Sequence, residues 1–248
     1  MFLSDLQTAI TKKLFDSGIE TSSLDSRIIL KEVFCFDEKE LILNSQLIVT
    51  DNKINEVDKI LSRRVSGEPV SKIFGKRDFY KSTFLISKDV LDPRPETELI
   101  IEIANNFILD KGYKNFIDLG TGSGCIILSI LKDNKNLSAL GIDISNKAIN
   151  IAQKNCSNLN LENQATFLVS NWLSKVSGSY DLIISNPPYI PSKDIDTLLD
   201  NVKNYDPLIS LDGGDDGLKC YREIAEDINR IISLSLIHIS EPTRQSPI

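Results

Sequence analysis

Histidine is nearly missing: His238 is the only one in 248 residues. A Ser-His-Asp triad or a histidine-based metal site is therefore not expected. Cysteine is sparse as well. Cys35, Cys125, Cys156 and Cys220 are scattered and form no CxxC pair, which argues for reduced thiols in a cytoplasmic protein rather than a disulfide framework or a zinc site. No apolar run approaches the roughly 18 residues of a membrane span. No charged-then-apolar leader opens the chain, so neither a membrane segment nor a signal peptide is expected. A basic excess is also lacking, with 28 Lys and Arg against 35 Asp and Glu, net −7. Duplex binders normally carry a basic face, so direct nucleic-acid binding is not expected. What remains is ordinary: 41% hydrophobic and 25% charged residues, the composition of a globular chain with one large domain or two small ones.

The first 67 residues carry apolar positions at helical spacing. Leu3, Leu6, Ile10 and Leu14 mark one helix ending at Ser17-Gly18, and Leu24, Ile28, Ile29 and Val33 a second behind Thr21-Ser22-Ser23. Leu41 and Ile42 sit in a short third element. Thr50-Asp51 opens a fourth helix that ends near Gly67. A small helical bundle over 1–67 follows, either a packing subdomain or a substrate-docking domain. From 68 to 91 the pattern changes to short β-prone runs, Ile73-Phe74, Phe79-Tyr80 and Phe84-Leu85-Ile86, which predict a β-hairpin linker. Pro93-Arg94-Pro95-Glu96-Thr97-Glu98 then reads as helix initiation, its acids complementing the helix dipole.

From 92 to 233 strands and helices alternate, predicting an α/β, Rossmann-like domain. Strand 115–119 runs into Gly120-Thr121-Gly122-Ser123-Gly124, where glycines permit positive φ and let a ligand approach the backbone. The GxGxG spacing is not the dinucleotide fingerprint GxGxxG. A second strand ends in Asp143, roughly 20 residues on, where a ribose-binding carboxylate belongs. Ser145 caps the next helix. A third strand ends at Ser170-Asn171-Trp172, whose indole either covers an adenine or packs in the core. A fourth, Asp181-Leu182-Ile183-Ile184, runs into Ser185-Asn186-Pro187-Pro188-Tyr189. That loop is either a proline-rich turn or a binding element. Its prolines remove backbone donors, so the loop offers carbonyl acceptors, the Asn186 amide and the flat face of Tyr189. Such a set suits a planar NH2 group. All these strand ends share one edge of a parallel sheet, where open α/β sheets bind ligands.

DLGTGSG at 118–124, the acid at 143 and NPPY at 186–189 resemble S-adenosylmethionine-dependent N-methyltransferases, a pattern shared with DNA adenine and ribosomal-protein glutamine methyltransferases. Arg64 with Gly67-Glu68-Pro69, PRPETE at 93–98 and DPLISLDGGDDGLKCYREI at 206–224 narrow the resemblance to the release factor glutamine N5-methyltransferases, the PrmC/HemK family, over residues 3 to 232. The resemblance implies a class I methyltransferase fold and S-adenosyl-L-methionine as cofactor. It also implies methyl transfer to the glutamine amide nitrogen of the Gly-Gly-Gln motif in class 1 peptide-chain release factors, the protein partners. It implies that Gly120, Thr121, Gly122, Ser123 and Gly124 line the methionine part of the cofactor, Asp143 holds the ribose hydroxyls and Trp172 lies against the adenine. Asn186 would touch cofactor and substrate. Asn186, Pro187 and Tyr189 would carry catalysis, with Pro188 completing the frame around the amide; no metal is implied. Asn171 departs from the family's usual Asp, and Ile209-Ser210 from an alanine-containing pair.

Residues 234–248 do not resemble the family and read as a translated transposase-type sequencing adapter. The expectation is a native sequence stopping near Ser233 and an incomplete sheet, four strands of the family's seven preceding that point. The competing readings are an N6-adenine nucleic-acid methyltransferase and an inactive fragment that only binds cofactor or release factor. A nicotinamide oxidoreductase is disfavoured by the glycine spacing.

Overall fold

In the computed structural model, α1 (Leu3–Asp16) turns Leu3, Leu6, Ile10 and Leu14 into one buried stripe, the 3.6-residue periodicity that its sequence carries. The structure describes residues 1–231 and the backbone of 238–239. Helix α2 (Ser22–Phe34) adds Ile29, Leu30 and Val33. Helix α3 (Glu38–Leu43) begins with a reciprocal cap in which Asp37 Oδ1 accepts the Glu40 amide at 2.7 Å and Glu40 Oε2 accepts the Asp37 amide at 2.8 Å, satisfying two donors that a helix start leaves open. Helix α4 (Asp51–Val65) contributes Val57 and Leu61 to the same apolar cluster. Thr50 occupies its N-cap position without a side-chain cap bond. Arg64, a marker of the family resemblance, is buried at the end of α4 and its Nε donates to Asp25 Oδ2 at 2.7 Å. Removing either partner would strand a buried charge, a loss of about 3–5 kcal/mol.

Residues 70–74 correct the β-strand expectation for Ile73-Phe74. They form α5 (Val70–Phe74), entered through Pro69 and stopped by Gly75 at φ 68°. Val70 and Phe74 pack into the helical cluster, and that packing overrides the local β preference of a β-branched and aromatic pair. The chain accordingly divides into two compact units, Met1–Gly75 and Lys76–Ile248. The hairpin, β1 (Lys76–Phe79) with β2 (Ser82–Leu85), belongs to the second. Its Phe79 and Phe84 rings meet edge-on at 6.2 Å inside that unit's core.

After a 3₁₀ turn at Pro95–Thr97, α6 (Glu98–Lys111) leads to β3 (Asn115–Leu119), α7 (Cys125–Asp133), β4 (Ser138–Asp143), α8 (Asn146–Asn158), β5 (Ala165–Val169) and β6 (Leu182–Ser185). Helices α9 (Asp200–Lys203) and α10 (Lys219–Ile228) follow, then the two-residue β7 (His238–Ile239). The sheet order is β5-β4-β3-β6-β7, every pairing parallel. Side chains alternate between faces: Phe116, Leu182 and Ile184 enter the cluster beneath α6 and α7, while Ile117, Leu119 and Ile183 enter the one with Ile224 of α10. Burial on both faces explains the near-continuous apolar strands.

Among the described residues this sheet has five strands, against the seven the resemblance implies. The proposed non-native tail lies outside the described residues except for β7, whose backbone pairs with Ile183 and Ile184. Among the described residues no helix is long and apolar enough to cross a membrane, and no cluster of potential metal ligands occurs.

Chain order fixes where a ligand can sit. From β3 the chain winds outward through β4 and β5, then returns to place β6 on β3's other side. The switch point therefore lies between β3 and β6, and sheets of this kind bind their ligands beyond the C-terminal ends of the strands at that point.

Candidate active site

Leu119 and Ser185 are register partners at the ends of β3 and β6, so Gly120 and Asn186 leave the sheet side by side. The amides of Gly120 and Thr121 both donate to the Ile142 carbonyl, at 2.9 and 2.8 Å, which ties the loop to β4. Gly120, Gly122 and Gly124 have φ of 74°, 56° and 78°, values that most side chains avoid. A Cβ on Gly124 would meet Leu128 and Ala152 at 3.2 Å, so the third glycine also sets the close packing of α7 on α8. Thr121 and Ser123 are buried in this turn.

Asp143, at the end of β4, accepts the Gly122 amide on Oδ2 at 2.9 Å and the Ser145 amide on Oδ1 at 2.8 Å. Each carboxylate oxygen has a second acceptor site, enough to receive two vicinal hydroxyls. Burial pushes its pKa up, opposed by these backbone donors. Ser145 Oγ accepts the Ala148 amide at 3.2 Å and caps α8 as its sequence position predicts. Beyond β5, the half-buried ring of Trp172 lies at ordinary contact distance, 3.6 Å, from where a Gly120 Cβ would stand. Asn171 beside it is exposed.

At β6 the Ser185 hydroxyl donates to the Leu119 carbonyl at 2.9 Å, inside the sheet. Asn186 follows, half-buried. Among the described residues, no group hydrogen-bonds its side-chain amide. Pro187 is buried, while Pro188 and Tyr189 are half-buried. The next residue, Ile190, binds backbone-to-backbone with the 211–214 loop: its amide donates to Leu211 at 3.1 Å and its carbonyl accepts from Gly213 at 2.8 Å. A Cβ on Gly213 would fall 2.7 Å from the Tyr189 Cα. The loop at 211–217 thus braces Asn186-Pro187-Pro188-Tyr189, a positioning role that the sequence pattern alone did not assign to its glycines.

Asp118 is a second residue without an assigned role in the sequence. It is fully buried, its Oδ2 accepts the Thr121 hydroxyl at 2.6 Å, and its Oδ1 has no hydrogen-bond partner among the described residues. Burial pushes its pKa up to about 7, with the nearby Asp143 charge adding to the rise and the Thr121 bond opposing it. In the sequence it is an acid inside the apolar strand Asn115–Leu119 and the first residue of the DLGTGSG motif.

This arrangement fits S-adenosylmethionine. It brings together a glycine turn exposed at Gly120, a carboxylate with spare acceptor sites, an indole beside the loop and an unengaged amide next to it.

Comparison with known proteins agrees with the geometry. The Methyltransferase small domain model matches residues 79–202 and the PrmC N-terminal domain model matches residues 5–75. A protein of Caulobacter vibrioides named release factor glutamine methyltransferase is 38% identical, covering 91% of this chain and 78% of its own length. One of the same name from Agrobacterium fabrum is 37% identical, covering 90% and 79%. Among solved structures, the hMettl16 catalytic domain in complex with MAT2A 3'UTR hairpin 1 superposes with a TM-score of 0.51 at 14% identity, covering 84% of this chain and 74% of that one, a likeness of fold alone. The bundle, the sheet and the relatives converge, and the chain belongs to the release factor glutamine methyltransferase family.

Proposed function

We propose that this chain transfers a methyl group from S-adenosylmethionine to the side-chain amide nitrogen of a glutamine in a peptide-chain release factor, the glutamine of the Gly-Gly-Gln motif in class 1 factors. The observation that carries it is the position of Asn186: next to the glycine turn at the switch point, half-buried, its amide unengaged by any described group. When bound, the cofactor supplies a methyl group made electrophilic by its positive sulfur.

The protein's part is positioning. An amide nitrogen is a weak nucleophile because its lone pair is delocalised into the carbonyl. Asn186 Oδ1 and the Pro187 carbonyl accept its two N–H bonds and aim the nitrogen, while Pro188 and Tyr189 hold the plane of the amide. Orientation of this kind lowers a barrier by about 7–11 kcal/mol at best. Bound here, S-adenosylmethionine would supply the methyl group and its sulfur would keep the electron pair of the broken bond, and the amide nitrogen would give up one proton to water. Asp143 holds the ribose and Trp172 covers the adenine. The four free cysteines suit the cytoplasm, where release factors act.

The test is a methyl-transfer assay of the full chain on an intact class 1 release factor, read by mass spectrometry at the Gly-Gly-Gln glutamine, with adenine-containing DNA and RNA as parallel substrates. Methylation of that glutamine alone is the expected result. Label appearing only on adenine would replace this reading with the nucleic-acid one.

A further inference from the structure

Trp172 is fixed at its backbone and at its ring. Its φ is 42°, in the left-handed region that bulky side chains rarely adopt. Ser170 holds it there: its Oγ donates to the Trp172 carbonyl at 2.8 Å and accepts the Lys175 amide at 3.2 Å. The indole lies beside Gly120, with Cζ3 and Cη2 nearest to it. On the pyrrole side, Nε1 donates to Glu223 Oε2 at 2.8 Å. Glu223 stands on α10, which is seated on the sheet through Ile224 and Ile228.

Packing alone leaves a half-exposed indole with a choice of orientations. A half-turn about χ2 keeps nearly the same apolar contact but carries the N–H away from Glu223. The hydrogen bond is sensitive to that turn and has a charged acceptor, which makes it stronger than a neutral one. We infer that Glu223 is a positioning residue for the cofactor: through Nε1 it holds the Trp172 indole in the orientation that lies beside Gly120, so that the adenine meets a surface formed in advance. Pre-organisation of this kind raises affinity by reducing the ordering needed at binding. The inference rests on Trp172 covering the adenine, as proposed above.

Trp172 is the only tryptophan, so emission excited at the red edge, where the tyrosines do not absorb, reports this ring alone. The experiment compares the parent with Glu223→Leu, which cannot accept the bond, and Glu223→Gln, which can. S-Adenosylhomocysteine is titrated by emission and by calorimetry, and far-ultraviolet circular dichroism confirms folding. For Glu223→Leu the expected results are a shifted emission before ligand is added and a dissociation constant raised about 3- to 10-fold. Its KM for S-adenosylmethionine should rise by the same factor, with kcat at saturation within about twofold of the parent. Glu223→Gln should recover most of the parental emission and affinity, its neutral acceptor making the weaker bond. In a Trp172→Phe background, which keeps a ring but has no N–H, Glu223→Leu should cost nothing further by calorimetry.

Parental emission and affinity in Glu223→Leu would overturn the inference, as would equal damage in Glu223→Gln. Trp172→Ala separates the layers. If it weakens binding while Glu223→Leu does not, the inference alone fails. If it binds like the parent, the reading of Trp172 fails and takes the inference with it.

Discussion

At Asn186 the chain leaves the sheet with an amide that no described group engages. Replacing it with Ala therefore removes an acceptor from the substrate and nothing from the fold. Loss of one oriented hydrogen bond amounts to about 1–3 kcal/mol, so Asn186→Ala should lower kcat/KM by roughly 5- to 150-fold. Folding stability should move by no more than about 0.5 kcal/mol. Turnover within twofold of the parent, measured on intact release factor, would remove Asn186 from the chemistry. Asp118 gives the opposite case, a carboxyl committed to the interior. Its folded pKa is raised from 3.8 to about 7. Below about pH 4 both states hold the proton; between there and about 7 the unfolded chain releases it while the native one keeps it. Stability from this group is therefore full at acid pH and falls as pH rises to about 7. Asp118→Asn cannot titrate, so the stability of the variant relative to the parent should improve by on the order of 2 kcal/mol between pH 5 and 8. Urea unfolding at those two values checks this, and an unchanged difference would contradict the raised pKa.

The braced loop is the element on which catalysis should prove most sensitive. The close approach of Gly213 to Tyr189 is backbone against backbone, so Gly213→Ala cannot be relieved by a side-chain rotation. The Asn186–Tyr189 segment has to shift, and displacements approaching 1 Å cost about 100-fold in rate. A fall in kcat of about 10- to 100-fold is expected, with S-adenosylhomocysteine affinity near parental by calorimetry; unchanged kcat would show that the brace is dispensable. This contact was not legible in the sequence, because it joins two irregular segments and depends only on how near two backbones come. The elements built from local chemistry were legible: the glycine turn after β3, the Ser145 cap, and β6 running into Asn186. Ile73-Phe74 misled because its neighbours, not its own preferences, decided its conformation. The burial of Asp118 and the Trp172–Glu223 bond, 51 residues apart, arise only once the sheet and α10 are assembled.

Each unit encloses its own apolar cluster, one confined to residues 3–74 and the others to 79–231. Deleting residues 1–75 should therefore leave S-adenosylhomocysteine binding intact by calorimetry while abolishing methylation of an intact release factor. Equal activity of the shortened form would reduce the bundle to a packing role. The switch point also bears on how the second unit comes together in time. The contact between Ser138 and Lys114, where β4 meets β3, spans 24 residues, whereas that between Ser185 and Leu119, where β6 joins β3, spans 66. Loop-closure entropy makes the longer connection harder to close by about 1 kcal/mol, and during synthesis β6 is also made last of the four long strands. The half of the site that would receive the cofactor is therefore the earlier to form. The half that would receive the substrate is added afterwards, and ligand present during refolding should accelerate or rescue the first stage rather than the second.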